Sequence, residues 1–250
     1  MSKIAIISDI HGNINALKSV LNEFLEDESY EKILFLGDYS MAGPVPEVTA
    51  SYCEELSKSD RFEFIQGNTD KMIVDYANKN FDLSKIPFPV MANALKSDVE
   101  RLSKENIEFL TGLPVQKEIE LNGLKILMVH GSPRRQNEDM MAGTPIEKIE
   151  EMIEGVDADL ILCGHTHVPC GFQTNTNQTV VNVGSVGRPF TPNALPCYAI
   201  IDIADDKSFT VEHRFVKYDV EGTVKDLLTR GYDGVEKLAQ ILVNPDRRHV

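Results

Sequence analysis

Five short apolar runs punctuate this chain, and each leads within a few residues to a side chain able to bind metal. Ile4–Ile7 leads to Asp9, and Ile33–Leu36 to Gly37-Asp38. Phe62–Ile65 leads to Gly67-Asn68, and Leu124–Val129 to His130-Gly131. Leu160–Cys163 leads to Gly164-His165-Thr166-His167. Short apolar runs bounded by turn residues read as buried strands. A polar residue normally ends a strand, so one such ending means little. Five of ligand type, with His11 and His167 besides, exceed strand punctuation, and four of the six histidines fall among them. In α/β sheets, ligands gather outside the carboxyl ends of the strands. On extended backbone, residues i and i+2 point to one side, so His165 and His167 are expected to aim both imidazoles at one spot.

Helical patterns lie between the runs. Ile14, Leu17, Val20, Leu21, Phe24 and Leu25 share a face. Pro46 opens a helix running through Leu56. Asn122-Gly123 between Val115–Leu121 and Leu124–Val129 is the strongest short hairpin signal. Thr144 caps a helix that turns Ile146, Ile149, Met152 and Ile153 inward. Val180–Val183 is a further strand, Cys197–Ile203 and Phe209–Phe215 form a second hairpin, and Val220–Leu228 and Val235–Leu242 are helical. Lys71–Leu113 holds no strand run. Pro87 and Pro89 separate helices near Met72–Asn78 and Met91–Leu102, and a third helix starts at Ser103, where Asn106 stands in place of the Glu or Gln of a full capping box. We read residues 71–113 as a helical, cap-like insertion in a single domain spanning 1–250. It sets substrate access or makes a dimer contact.

The hydrophobic fraction of 42% suits a soluble protein. No apolar run approaches the roughly 18 residues of a membrane span, and Lys3-Ile4-Ala5-Ile6-Ile7 is too short for a signal-peptide core. Cys53, Cys163, Cys170 and Cys197 form no C-x-x-C pair. They read as small buried hydrophobes, which suits a cytoplasmic location. The net charge of −14 argues against long nucleic acids, whose binding needs a basic footprint. An anionic substrate would need a local positive site. His213 and His249 read as a strand-face and a tail residue.

Asp9-Ile10-His11, Gly37-Asp38, Gly67-Asn68-Thr69-Asp70, His130-Gly131 and Gly164-His165-Thr166-His167 occur in the order found in the calcineurin-like metallophosphoesterases, which the chain resembles over roughly Ile4–Phe215. Gly184-Ser185-Val186-Gly187-Arg188-Pro189 resembles their small bacterial and archaeal phosphodiesterase branch. The resemblance implies an α/β (α+β) fold, a four-layer αββα sandwich of two mixed sheets flanked by helices. It implies two divalent transition-metal ions, one on Asp9, His11, Asp38 and His167 and the other on Asp38, Asn68, His130 and His165, with Asp38 bridging. Carboxylate, amide and imidazole donors without thiolate suit Mn, Fe, Co, Ni or Zn. Two such ions, two carboxylates and a bridging hydroxide leave about one net positive charge, enough to draw phosphate to an acidic protein.

The implied activity is a dinuclear, metal-dependent phosphodiesterase acting on a small phosphoester or nucleotide-like substrate by attack of the metal-bridging hydroxide. Asp38, Asn68 and Asp70 are the expected catalytic group, with Asp70 orienting the loop or a ligand histidine; an exposed loop acid is the alternative. Asn13, Thr69 and Arg188 are the expected substrate contacts. Arg188 can meet phosphate with two N–H groups, or be an ordinary surface arginine. Many family members carry histidine where Thr69 stands, to assist the leaving group. A hydroxyl is too weak an acid for that role at neutral pH, so a slow enzyme favouring aryl or nucleotide leaving groups is expected. A non-catalytic metal-bound scaffold, a nuclease and a phosphomonoesterase or phosphoprotein phosphatase are the rival readings. No membrane partner is expected, and a homo-oligomer is left open.

Overall fold

Alternation along the strands decides the layering. In β1 (Ser2–Ile7), Ile4, Ala5, Ile6 and Ile7 are all buried, so both faces of the strand must be covered. In the computed structural model, which describes residues 2–245, Ile4 and Ile6 meet a second sheet and Ala5 and Ile7 meet helices. The first sheet has the order β10–β9–β1–β2–β3, with β2 Tyr30–Phe35, β3 Phe62–Phe64, β9 Cys197–Ile203 and β10 Phe209–Phe215. β1, β2 and β3 run parallel, and β9 and β10 are added antiparallel. The second sheet has the order β4–β5–β6–β8–β7, with β4 Gln116–Leu121, β5 Leu124–Val129, β6 Leu160–Cys163, β7 Cys170–Gln173 and β8 Thr179–Asn182. Here β5, β6 and β8 are parallel and the two edge strands antiparallel.

Between the sheets lies a layer built from Ile4, Ile6, Leu34, Ile126, Leu160, Val181 and Ile201, among others. The outer face of the first sheet packs on α1 (Ile14–Leu21), α2 (Pro46–Leu56), α3 (Asn68–Ala77), α4 (Pro89–Val99), α5 (Lys104–Gly112), α7 (Val220–Leu228) and α8 (Val235–Val243). The outer face of the second sheet packs on α6 (Ile146–Met152) through Ile149 and Ile153. The chain is therefore the expected four-layer αββα sandwich of two mixed sheets.

Several local expectations change. The sequence reading lacked β7, a short edge strand with alternating half-burial. The cap of α6 falls on Pro145, whose ring offers no acceptor, so Thr144 does not cap it. At α5 the capping box is complete: Ser103 Oγ accepts from Asn106 N at 3.2 Å, and Asn106 Oδ1 accepts from Ser103 N at 3.3 Å. The shorter Asn amide does the work expected of Glu or Gln. The 71–113 stretch holds no strand, but its first helix begins at Asn68, and its helices join the same core as α1 and α2. The Asn122-Gly123 turn has φ of 49° and 75°, as a two-residue hairpin of this hand requires. His213 sits on β10 with Nε2 2.8 Å from Asn182 O, while His249 lies outside the described residues. Cys53, Cys163 and Cys197 are buried thiols, whereas Cys170 is only partly covered.

The carboxyl ends of the parallel strands of both sheets meet at one rim. Asp9 N donates to Gly37 O at 3.1 Å within the first sheet. His130, just past β5, reaches across to Leu36 O at the end of β2.

Candidate metal centre

The rim is built by unusual backbone. Asp9, His11, Asp38, His165 and His167 all have φ between 48° and 64°, the left-handed region that non-glycine residues rarely adopt, though Asp and His enter it more often than most. A left-handed residue after a strand turns its side chain back over the strand end. The two histidines of the 165–167 pair thus reach the site through left-handed turns, not through the extended backbone expected from their spacing. They serve different neighbours: His167 lies 4.9 Å, ring centre to ring centre, from His11, and His165 lies 5.3 Å from His130. Backbone bonds hold these turns. Ile10 N and His11 N both donate to Asp38 O at 2.9 Å, and Gly187 N donates to Asp9 O at 2.9 Å. The motif glycines allow close approach: a Cβ on Gly67 would lie 2.1 Å from Asp38 Oδ1, and one on Gly164 2.5 Å from Asp9 Oδ2.

Three imidazoles are locked in one tautomer. Nδ1 of His11 lies 2.8 Å from Met41 O, that of His130 2.7 Å from Leu36 O, and that of His167 2.6 Å from Arg188 O. A carbonyl oxygen can only accept, so each Nδ1 carries a proton, and each ring, when neutral, turns an Nε2 lone pair inward. These lone pairs converge on other acceptors. His11 Nε2 is 3.1 Å from His167 Nε2. His167 Nε2 is 3.2 Å from Asp9 Oδ1, a buried oxygen with no hydrogen-bond partner. His130 Nε2 is 3.0 Å from Asn68 Oδ1 and 3.3 Å from Asp38 Oδ2, and the latter is also 3.7 Å from His11 Nε2. Around His167, where burial keeps the ring neutral, acceptors facing acceptors at this range repel unless a cation stands between them, whereas a proton on His130 Nε2 serves Asp38 until a cation replaces it. The donor set therefore fits metal. Two groupings have the right spacing, Asp9 with His11 and His167, and Asp9 with Asp38 and His130.

His165 is placed differently. Its backbone N donates to Asp9 Oδ2 at 2.9 Å, and its Nε2 lies 3.3 Å from Asp139 Oδ1. It stands beside the His130 half of the cluster without sharing the tight spacing of the other ligands.

Burial opposes charge on Asp38, but the adjacent His130 outweighs it and holds the carboxyl well below its ordinary range; Asp9 behaves likewise, through His167 and His130. Burial also opposes charge on His130, yet Asp38 and Asp9 lift it to about 10. His167 is pulled down to about 4, chiefly by burial. Two carboxylates that stay ionised in a buried cluster make the place attractive to cations.

The remaining predicted residues divide. Asp70 is buried behind the loop, where its carboxylate accepts from Asp38 N at 2.7 Å, Gly67 N at 2.9 Å and Tyr39 N at 2.9 Å. It bonds the backbone of the Asp38 loop from behind, as an orienting acid would, and does not face the cluster. Burial and the charge of Asp38 push its pKa up to about 7 against those donors. Asn13 is corrected. Its Oδ1 caps α1 through Ala16 N at 3.1 Å and its Nδ2 donates to Gly187 O at 2.9 Å, which leaves it buried as a tie between loops and not a substrate contact. Thr69 and Arg188 line a cavity of about 280 Å³ together with His11, Asp38, Asn68, His165 and His167. Thr69 N donates to Asp38 Oδ1 at 2.9 Å, and its hydroxyl is buried with no partner. Arg188 Nε is buried and unbonded.

Three residues escaped the sequence reading. Asp139 sits in the loop after His130, ended by no strand. Phe190 stacks on the His167 ring at 4.8 Å and 14°. Asn182 Nδ2 donates to Gly164 O at 2.7 Å and Thr166 Oγ1 at 2.9 Å, pinning the histidine loop. Only Asn182 had a signal, as a polar residue within an apolar run.

A sequence model of the calcineurin-like phosphoesterase superfamily domain matches residues 2–206, and the chain belongs to that superfamily of metal-using phosphoesterases. Uncharacterized protein MJ0912 of Methanocaldococcus jannaschii is 28% identical over 239 residues, 88% of this chain and 89% of that protein. The crystal structure of hypothetical protein PH1004 from Pyrococcus horikoshii matches with a TM-score of 0.85 at 22% identity, over 99% of this chain and 100% of that one. A metallophosphoesterase from Sphaerobacter thermophilus matches at 0.75 and 24% identity, over 97% and 98%. These two likenesses show the shared fold.

Proposed function

We infer that this chain is a phosphodiesterase that works with two divalent transition-metal ions, manganese among the candidates. The carrying observation is the convergence of three orientation-locked Nε2 atoms and the unpartnered Asp9 Oδ1, with the unbonded Arg188 Nε in the same cavity wall. Asp9, His11 and His167 would hold one ion. Asn68, His130 and, after a turn of its ring, His165 would hold the other, with Asp38 between them. When bound, such ions polarise phosphoryl oxygens and acidify water for attack at phosphorus.

The chain's own residues supply the rest. Arg188 brings a positive fork to the phosphate, with a buried Nε that has no partner and an Nη1 held only by Met91 Sδ at 4.0 Å. Asp70 keeps Asp38 in its left-handed turn through two backbone donors, and Phe190 fixes the plane of His167. Thr69 provides a hydroxyl but no acid of useful strength, so the leaving group departs without a proton from that position and good leaving groups are favoured. The acidic surface favours small phosphoesters over long nucleic acids.

The test is hydrolysis of bis-p-nitrophenyl phosphate by protein stripped of metal and reloaded with Mn, Ni, Co or Zn. Metal-dependent turnover that is lost in Asp38→Asn supports the reading. A fully loaded protein no faster than its Asp38→Asn variant would show a metal-bound scaffold instead. Equal rates on alkyl and aryl leaving groups of matched binding would remove the leaving-group argument.

A further inference from the structure

Next to the cavity at the candidate metal centre lies a larger cleft of about 800 Å³ between the first turn of α4 and α8. Phe88, Val90, Leu238 and Ile241 line both. A molecule with its phosphate at the cluster and a long substituent can therefore follow these four side chains outward without leaving the protein surface. Phe88, at this junction, is 52% exposed, a large apolar side chain kept in water at the mouth of a functional cavity. Beside it, Met91 and Phe190 continue the apolar wall.

Apart from the metal-ligand residues, the polar side chains of the inner cavity are, among the described residues, Thr69 and Arg188. The outer cleft is mixed: Asn93, Asp233, Lys237, Gln240 and Asn244 bring polar groups to it, and Asn93 Nδ2 is committed to Asp233 O at 3.1 Å. The four side chains common to both spaces are all apolar, so what the path along them offers is apolar contact.

We propose that the substrate is a phosphodiester with one long alkyl arm, and that this arm lies over Phe88, Val90, Leu238 and Ile241 while the second ester group departs. The proposal rests on the phosphodiesterase reading. In each turnover water supplies the oxygen that replaces the departing alkoxide or phenoxide on phosphorus. The P–O bond to that group breaks with its electron pair, and the water's protons pass to solvent and, where basic enough, to the departing oxygen.

The test uses the full chain loaded with Mn and a series of alkyl p-nitrophenyl phosphates from methyl to dodecyl, kept below their micelle concentrations. The leaving group is constant, so only the arm varies. The expected result is a rise in kcat/KM on the order of fourfold per methylene over the first several carbons, the factor for full transfer of a CH₂ from water, then a plateau once the cleft is full. Phe88→Ser, at an exposed position, and Ile241→Asp should both flatten that slope, whatever they do to the methyl ester. Turnover of the methyl ester with no dependence on chain length overturns this proposal and leaves the phosphodiesterase reading intact. A slope that persists in both variants overturns it too, since the arm would then lie elsewhere. No turnover of any member overturns both.

Discussion

Replacing Asp70 tests whether the rim is held from behind. Its carboxylate accepts three backbone N–H bonds, two on Oδ2 from Asp38 and Gly67 and one on Oδ1 from Tyr39, at 2.7–2.9 Å, and it has no exposure. In Asp70→Asn one oxygen becomes an NH₂ group. If the amide keeps its oxygen toward Asp38 and Gly67, its nitrogen confronts Tyr39 N–H, donor against donor. That orphans one buried donor, at about 1–3 kcal/mol. The charge assistance lost from the other two bonds is offset, because burial and Asp38 already disfavour the carboxylate and raise its pKa to about 7. The expected loss is about 1–3 kcal/mol. Urea unfolding of the metal-free protein at pH 8, where Asp70 is ionised, measures it; the melting temperature should fall by roughly 2–12 °C for a chain of this size. Because Asp38 is held at φ 60° by this anchor, Mn affinity measured by calorimetry should also fall at least tenfold. A loss below about 1 kcal/mol with unchanged Mn affinity would refute the view that Asp70 positions Asp38.

Other tests follow from named contacts. Arg230→Met removes the partner of buried Asp98, whose Oδ1 lies 2.8 Å from Arg230 Nη2 with side-chain exposures of 1% and 0%; unfolding should become easier by about 3–5 kcal/mol, the cost of leaving one charge of a buried pair. Metal removal should lower the melting temperature, and Mn at a thousand times its Kd should restore about 4 kcal/mol per independent site; a melting temperature indifferent to Mn, Ni, Co and Zn alike would contradict the cation site. Arg188→Met should cut kcat/KM on phosphodiesters about 10- to 100-fold with metal content unchanged, as for the loss of a charge-assisted contact; metal loss in that variant would instead make Arg188 a support of His167. Glu138, buried after His130, is held down to about 2, first by its bond from Arg134, against an ordinary 4.5. A depressed acid stabilises the fold above about 4.5 and loses that contribution as pH falls toward 2, so Glu138→Gln should shrink the acid-side fall in urea stability.

The αββα layering was implied by the family resemblance, and the βα alternation of the first half and the hairpins of the second agreed with it; turn chemistry marked the hairpin at Asn122-Gly123. The ligand types were legible because each followed a short apolar run. How the backbone brings them together was not. Spacing alone made His165 and His167 an extended pair, whereas left-handed turns, dictated by carbonyls and glycines far away in sequence, send them to different neighbours. Asn13 was misread because a capping amide and a substrate-binding amide are the same residue in sequence; only the position of Ala16 N tells them apart. Asp139 and Phe190 had no periodic or terminal signal, since loops carry neither. β7 was missed because Cys170-Gly171-Phe172-Gln173 is too short to show a period and contains a glycine that weakens a strand reading.

The locked tautomers bear on when the site is made. Each of His11, His130 and His167 donates Nδ1–H to a backbone carbonyl, so the rings are oriented by folding itself and their rotamer freedom is already lost before a cation arrives. The five left-handed ligand residues point the same way, because their turns are held by hydrogen bonds within the protein and not by metal. Each such turn costs of order 1–3 kcal/mol, less for Asp and His, and acceptor repulsion among Asp9, His11 and His167 adds to it. The metal-free fold thus carries a stress that a cation relieves without reordering the backbone. Cation binding should then raise stability while leaving the far-ultraviolet circular dichroism unchanged, and His165, the ring whose Nε2 faces Asp139, should be the one imidazole whose NMR signals report a change of rotamer. A broad gain in helix or strand signal on adding Mn would mean instead that the rim folds around the metal.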